Sequence, residues 1–401
     1  MRTTWNFHSS GQLFFGEGAV KSLGDLVSRR RWRRILIVTD QVLAAVGVLE
    51  AVRRPLADAG CEVAVFDGGE PEPSLDAALR TIELAKSFGP DAIVGLGGGS
   101  NMDLAKVCAA VQAHGGSPRD YFGWDRVPGP VTPLVCVPTT AGTGSEVSHA
   151  AVVTDTDAHL KVSTLSQYLR PAVALVDPEL TYTCPPKVTA DSGIDALTHA
   201  IEAYLATDYR DLQLAPGETA AYEGANPLGG ALAEKAIEWV GRHLETAVRE
   251  PSQRAARHGM ALAATTAGLA FSNCAVAVVH ALEYPLGGVL HCSHGAGNGL
   301  LLPHCMRFVL PVRKQQLARI ARLLGESVEG LDETEAAERA IAAVERLQRA
   351  IGIPTRIRDL GGKREQLPEF ADKAFAIKRL MLMTPRTPTR DDLLKILEAA
   401  F

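Results

Sequence analysis

The 401-residue chain is short of every feature that would mark a nucleic-acid-binding, membrane-embedded or secreted protein. Positive charge is not in excess: the formal net charge is -5, which removes the electrostatic case for a polyanionic partner. Its one basic run, Arg29-Arg30-Arg31-Trp32-Arg33-Arg34, directly precedes the apolar segment ILIVTD and reads as the solvated end of a helix and its turn. No stretch approaches about 20 uninterrupted apolar residues, so no membrane-spanning helix is predicted. The opening segment MRTTWNFHSSGQLFFG lacks the apolar core of a signal peptide. Cysteines number seven, an odd count, with no C-x-x-C pair, which predicts reduced thiols in a cytoplasmic protein rather than a disulfide framework. Internal repeats and low-complexity segments are absent. What remains is a chain 46% hydrophobic and long enough to bury two cores.

The two halves differ in pattern. Short apolar runs punctuate the first ~180 residues: RILIVTD (34–40), EVAVFD (62–67), DAIVGLG (91–97), PLVCVPT (133–139) and VALVDP (173–178). Helical periodicities such as LDAALRTIELAKSFG and MDLAKVCAAVQAHG lie between several of them. Strands alternating with helices predict a parallel, Rossmann-like α/β sheet. Beyond residue 185 strand-like runs give way to long helical patterns, ending in Thr389-Arg390-Asp391-Asp392, a capping-box start for DDLLKILEAAF. Consecutive prolines at Pro185-Pro186 block helix continuation. The expected boundaries are therefore 1–184 for an α/β dinucleotide-binding domain and 185–401 for an all-α metal-binding and catalytic domain.

Chemistry concentrates in a few segments. Asp195 and His199, in SGIDALTHAIEAY, stand four apart and so share one helix face about a turn from each other. Taken alone, such a pair is more often a surface pair or a satisfied hydrogen bond than a metal site. Two further histidines, His280 and His294, fall in HALEYPLGGVLHCSHG, and His280 follows the apolar run AVAVV. One carboxylate with three imidazoles is a ligand set for a divalent ion such as Fe²⁺ or Zn²⁺. Upstream, the Gly95–Ser100 run follows a strand and opens a helix. There backbone N–H groups and the helix dipole suit a diphosphate. The ordinary G-x-G-x-x-G fingerprint is missing, and a plain turn stays open as an alternative. Asp40 ends a strand, where an acid serves either an adenosine ribose or a helix N-cap. The first of those roles favours NAD over NADP. Thr139, Thr140 and Thr143 follow another strand in PTTAGTGSEV, as phosphate contacts or as a rigid turn.

Taken together, FGEGAV (15–20), GLGGGSNMDLAK (95–106), PTTAGTGSEV (138–147), DALTHAIEAY (195–204), HALEYPLGGVLHCSHG (280–295), LLPHCMRF (301–308) and the tail PRTPTRDDLLKILEAAF resemble the iron-containing (group III) alcohol dehydrogenase family, over nearly the whole chain. That resemblance implies the family's architecture, shared with dehydroquinate synthase, and reversible hydride transfer between NAD and an alcohol, diol or hydroxyacid. It implies metal ligation by Asp195, His199, His280 and His294, with Fe²⁺ or Zn²⁺, and it favours Asp195 over the neighbouring Asp191. It assigns Gly98, Gly99, Ser100 and the following Asp103 to the diphosphate, Asp40 to the ribose, Thr139, Thr140 and Thr143 to the cofactor lining, and Lys161 to the nicotinamide-side ribose. Val152 and Leu180 would pack near the cofactor, Phe271 would wall the substrate pocket, and Ser148, His149 and Ala150 would face it. A small-molecule alcohol or aldehyde as the partner, and a homodimer or larger homo-oligomer, follow from the same resemblance.

Three departures stand out. Many relatives carry a histidine, a candidate proton relay, where this chain has Tyr284; Tyr284 either substitutes through its hydroxyl or simply packs, and His291 is another nearby candidate. Glu72 occupies a cofactor-loop position that is often Asn. The 208–230 loop, with Tyr222-Glu223-Gly224-Ala225-Asn226-Pro227-Leu228, is longer than in lactaldehyde reductases and looks like a segment of the hydroxyacid-oxoacid transhydrogenases. A transhydrogenase is therefore the alternative activity, and a non-catalytic nucleotide-binding protein a minor one. A lyase of the dehydroquinate synthase type would need converging basic residues, in which the 185–295 region is thin.

Overall fold

The computed structural model describes residues 1–155, 160–214 and 219–401. It divides into two compact units, His8–Cys184 and Met1–Phe7 with Pro185–Phe401.

Among the described residues the first unit holds nine strands: β1 (Leu13–Phe15), β2 (Arg34–Val38), β3 (Glu62–Phe66), β4 (Ala92–Gly97), β5 (Gly123–Trp124), β6 (Leu134–Pro138), β7 (Ala150–Asp155), β8 (Leu160–Leu165) and β9 (Val173–Val176). Its helices are α1 (Leu23–Arg30), α2 (Gln41–Ala45), α3 (Val48–Asp58), α4 (Leu75–Phe88) and α5 (Gly99–His114). Six strands form one all-parallel sheet in the order β1-β9-β6-β4-β2-β3. Every residue of β4 and β6 is buried, as expected of central parallel strands covered on both faces. Alternate residues face opposite cores: Leu36, Val38 and Ile93 pack with α4 and α5, while Ile35, Ile37 and Val94 pack with α1 and α3.

In passing from β3 to β4 the chain crosses over β2, so β2 and β4 flank a topological switch point, where open α/β sheets offer a crevice at the carboxyl ends of their strands. The five strands expected from apolar runs are all present. A second small sheet, β5-β8-β7, with β7 and β8 antiparallel, was not foreseen. In β7 the period-2 burial is carried by alanines and valines whose hydropathy hardly alternates.

The second unit is helical: α6 (Pro186–Leu205), α7 (Pro227–Arg249), α8 (Arg254–Phe271), α9 (Val278–Leu290), α10 (His294–Leu323), α11 (Glu333–Ile351), α12 (Leu367–Ala376), α13 (Lys378–Met383) and α14 (Arg390–Ala399). Pro185 is the N-cap residue of α6 and Pro186 its first residue, where a missing N–H does no harm. Thr389 caps α14 through the reciprocal bonds with Asp392 that its sequence predicts. The segments LLPHCMRF and VRKQQLARIARLL run together in α10, bent at Arg313 (φ -136°, ψ 28°) two residues after Pro311. The N-terminal segment belongs to this unit: Arg2 pairs with Glu223, and Asn6 Nδ2 donates to Glu223 Oε1 at 3.0 Å. Among the described residues no helix is long and apolar enough to cross a membrane.

Candidate metal and nucleotide sites

Helix α6 is buried on nearly all sides, and its interior includes three acids and a histidine that a core helix would ordinarily exclude. Asp195 and His199 share one of its faces, with His199 Nδ1 3.7 Å from Asp195 Oδ2. Across from them, α10 begins at His294. It can lie this close only because Gly295 has no side chain: a Cβ there would fall 1.9 Å from the Asp191 carbonyl oxygen. Asp191, the rival carboxylate, braces this approach. It accepts from Ser293, the N-cap of α10, at 2.6 Å, and from Lys187 at 2.5 Å.

Asp195, His280 and His294 each present a ligand atom, and the three atoms lie within 4.8 Å of one another. His199 adjoins this triple, its ring stacked on that of His280 at 4.8 Å between centroids. Two buried carboxylates orient the imidazoles. His280 Nδ1 lies 2.5 Å from Glu202 Oε2, and His294 Nδ1 lies 2.5 Å from Glu283 Oε2. Glu202 is fixed in turn by the backbone N–H of Val279 at 2.7 Å. These contacts assign the Nδ1–H tautomer and leave each Nε2 as an acceptor aimed at the cluster. Asn298, fully buried, donates to Asp195 Oδ1 at 2.8 Å, and its Nδ2 stands 3.2 and 3.1 Å from Nε2 of His280 and His294. Burial opposes ionisation of Asp195. The three imidazoles and the Asn298 amide outweigh it and hold the carboxyl below its usual range.

A mixed carboxylate–imidazole donor set, with carboxylates behind two of the imidazoles, fits a divalent transition metal. Sequence inspection passed over Glu202, Glu283 and Asn298. Each follows a ligand candidate by three or four residues (His199, His280 and His294), and that spacing was the available signal.

Phe271, at the end of α8, stacks on His199 with centroids 4.2 Å apart and planes 19° apart, forming an aromatic wall to the cluster. Tyr284 stacks on His294 at 6.1 Å and meets His280 edge-on at 6.4 Å. Burial pushes its phenol up to about 12, against the pull of Arg379, which also hydrogen-bonds to it. His291 is exposed and ends α9 in the left-handed conformation (φ 51°).

In the first unit the nucleotide candidates converge from neighbouring strands. Asp40 follows β2, Gly98–Ser100 follow β4 and Thr139–Thr143 follow β6, all at the carboxyl edge. Gly98 is the N-cap residue of α5 and supplies no side chain. Thr140 Oγ1 is buried without a hydrogen-bond partner, and a Cβ at Gly98 would stand 3.6 Å from it. An orphaned buried hydroxyl beside a glycine at a helix N-terminus fits a phosphate oxygen. Thr139 donates its N–H to the Gly97 carbonyl at 3.0 Å, and Thr143 packs against Gly99.

Asp103 points along the protein: it accepts from Ser145 Oγ at 2.8 Å and from the Val152 N–H at 2.9 Å, bracing the threonine loop against α5. Buried Lys106 completes the brace, donating to Ser145 Oγ, Ser148 Oγ and the carbonyls of Ser148 and Ala150 at 2.8–3.1 Å. Lys161 pairs with Glu72 at 2.7 Å. Val152 is half-buried on β7, whereas Leu180 lies in the core with α1 and α3. His149 is fully buried, edge-on to Trp124 at 6.0 Å.

Both halves of the chain match known family models: residues 10–178 the iron-containing alcohol dehydrogenase model, and residues 218–401 the C-terminal model of the Fe-containing alcohol dehydrogenase family. The NAD-dependent methanol dehydrogenase of Bacillus methanolicus is 37% identical over 98% of this chain and 99% of its own. Among solved structures, a 1,3-propanediol oxidoreductase superposes with a TM-score of 0.93 at 36% identity, covering 100% of both chains. A sulfoacetaldehyde reductase from Bifidobacterium kashiwanohense in complex with NAD⁺ gives 0.84 at 28% identity, covering 100% of this chain and 99% of that one. The chain is an enzyme of the iron-containing alcohol dehydrogenase family.

Proposed function

We propose that this enzyme oxidises small alcohols, diols or hydroxyacids reversibly with NAD⁺, using a divalent metal, Fe²⁺ first and Zn²⁺ second, held by Asp195, His199, His280 and His294. The observation that carries this reading is the buried Asp195–His280–His294 triple with Glu202 and Glu283 behind its imidazoles. Such a metal supplies Lewis acidity to an alcohol or carbonyl oxygen, and nicotinamide supplies or takes the hydride. Glu202 and Glu283 keep Nε2 of two ligands deprotonated and aimed. Asp195 stays ionised because its neighbours hold it so. Phe271 screens the cluster from water on the His199 side. Tyr284 keeps its proton across the working range, so its hydroxyl serves as a donor, or passes a proton on, rather than acting as a base.

In the first unit, Gly98, Gly99, Ser100 and Thr140 would receive the diphosphate, Asp40 the adenosine ribose and Lys161 the nicotinamide-side ribose. Thr139, Thr143 and Val152 would line the cofactor, Asp103 would hold that lining in place, and Leu180 would support it from the core. Phe271 and His149 would contact the substrate. The family likeness also supports a homodimer or larger homo-oligomer, and thiols with no disulfide among the described residues suit the cytoplasm.

Stripping the metal, verified by elemental analysis, is expected to abolish NAD-linked alcohol oxidation, and Fe²⁺ or Zn²⁺ to restore it. Full activity in the stripped protein would sink the proposal. Transhydrogenation is a second reading, resting on the 208–230 loop, of which residues 215–218 lie outside the described residues. Its Glu223 and Gly224 N–H groups bond the carbonyls of Asn273 and Cys274, just beyond Phe271. Turnover of a hydroxyacid with an oxoacid and no added NAD would favour it.

A further inference from the structure

One side chain spans the proposed nucleotide site without belonging to any of its assigned parts. Asn101 is 3% exposed on the first turn of α5. Its Nδ2 donates to Asp40 Oδ2 at 2.7 Å and to the Leu96 carbonyl at 3.0 Å. The other Asp40 oxygen, Oδ1, accepts the N–H of Leu43 at 2.9 Å as the N-cap of α2. Each carboxylate oxygen therefore carries one protein bond, which leaves about one lone-pair direction on each.

The slot around the amide is built for it. Gly97 (φ +144°) has a backbone that side chains rarely adopt, and a Cβ there would fall 2.2 Å from Asn101 Nδ2. At Gly69 a Cβ would fall 2.1 Å from Asn101 Oδ1. Gly69 itself is tied to β2 by its N–H to the Thr39 carbonyl at 2.9 Å. Asn101 thus joins the carboxyl ends of β2 and β4 and the segment after β3, linking the glycine turn to the carboxylate.

We propose that Asn101 is a positioning residue for dinucleotide choice: it locks the Asp40 carboxylate in place, so that it accepts ribose hydroxyls and cannot turn aside from a 2′-phosphate. This rests on Asp40 holding the adenosine ribose. A carboxylate anchored at one oxygen can rotate its other oxygen away from an incoming dianion. Anchored at both, it meets the phosphate as a fixed like charge.

Calorimetric titration of NAD⁺ and NADP⁺ into the metal-loaded enzyme, without substrate, tests this in wild type, Asn101→Ala, Asn101→Ser, Asp40→Ala and the double variant Asp40→Ala/Asn101→Ala. Wild type is expected to bind NAD⁺ more tightly. Either Asn101 variant should narrow the NADP⁺/NAD⁺ Kd ratio by about tenfold, the scale of one charge-assisted hydrogen bond. The double variant should narrow it no further than Asp40→Ala alone. Asn101 variants that weaken both dinucleotides equally, or leave both unchanged, overturn the proposal while the Asp40 assignment survives, provided Asp40→Ala shifts the ratio. An unshifted ratio in Asp40→Ala overturns the Asp40 assignment and the proposal together. Serine, small and polar, keeps the test available if alanine disturbs the fold.

Discussion

The proposed metal cluster and the proposed nucleotide cradle are built on different principles. In the helical unit, side chains do the work. Asp195, His280, His294, Glu202, Glu283 and Asn298 are buried or half-buried polar groups, each held by another. In the α/β unit, backbone and absence of side chain do more of it: Gly98 opens a helix, Gly97 and Gly69 leave room for the Asn101 amide, and Thr140 offers one hydroxyl, while Asp103 and Lys106 brace the loop from behind. A buried charged network tolerates few substitutions, because removing one partner strands another. A cradle made of N–H groups spreads its contribution over many small contacts. The first site should therefore fail abruptly and the second by degrees.

Three variants sharpen that contrast. Glu202→Gln is expected to produce the largest effect. It replaces the carboxylate behind His280 with an amide, and metal affinity should fall by about 10- to 100-fold, read by competition with a chelator, with NAD⁺ binding unaltered. An unchanged metal affinity would mean that the carboxylate only fills space. In the cradle, Thr140→Val should raise the NAD⁺ Kd by about fivefold, or ~1 kcal/mol, and leave metal content alone. A loss as steep as that of Glu202→Gln would erase the distinction between abrupt and graded sites. Smallest of the three, Tyr284→Phe should lower kcat/KM by a few-fold and leave its pH profile unshifted through the neutral range. The phenol's folded value lies above its ordinary 10, so its contribution to stability is whole below pH 10 and fades as pH climbs towards about 12. Tyrosinate absorbance and alkaline unfolding, compared between wild type and variant, check that sign. A new inflection near neutrality in kcat/KM would contradict the donor role.

Much of this is legible in the sequence. The apolar runs of β2, β3, β4, β6 and β9 named the sheet, because parallel strands covered on both faces need unbroken hydrophobicity. Asp195 and His199 were legible as neighbours, because helical spacing alone makes them so. The antiparallel β7–β8 pair was not legible, since alanine and valine alternate in burial without alternating in hydropathy. Nor was the role of Asp103. Its nearness to the glycine turn suggests a ligand, yet the fold turns both its oxygens to Ser145 and Val152.

What the sequence determined by itself was therefore local: strand runs, helix faces, the proline-marked start of α6 and the Thr389 cap. These depend on residues within a turn or a strand of each other. Only the tertiary structure decided who serves whom. Glu202 lies one turn beyond His199 yet backs His280, from another helix; Glu283 lies one turn beyond His280 yet backs His294. A helix fixes which side chains share its face, but not which partner packing brings across to meet them. Gly295 and Ser293, at the start of α10, decide that approach by how closely two backbones can come.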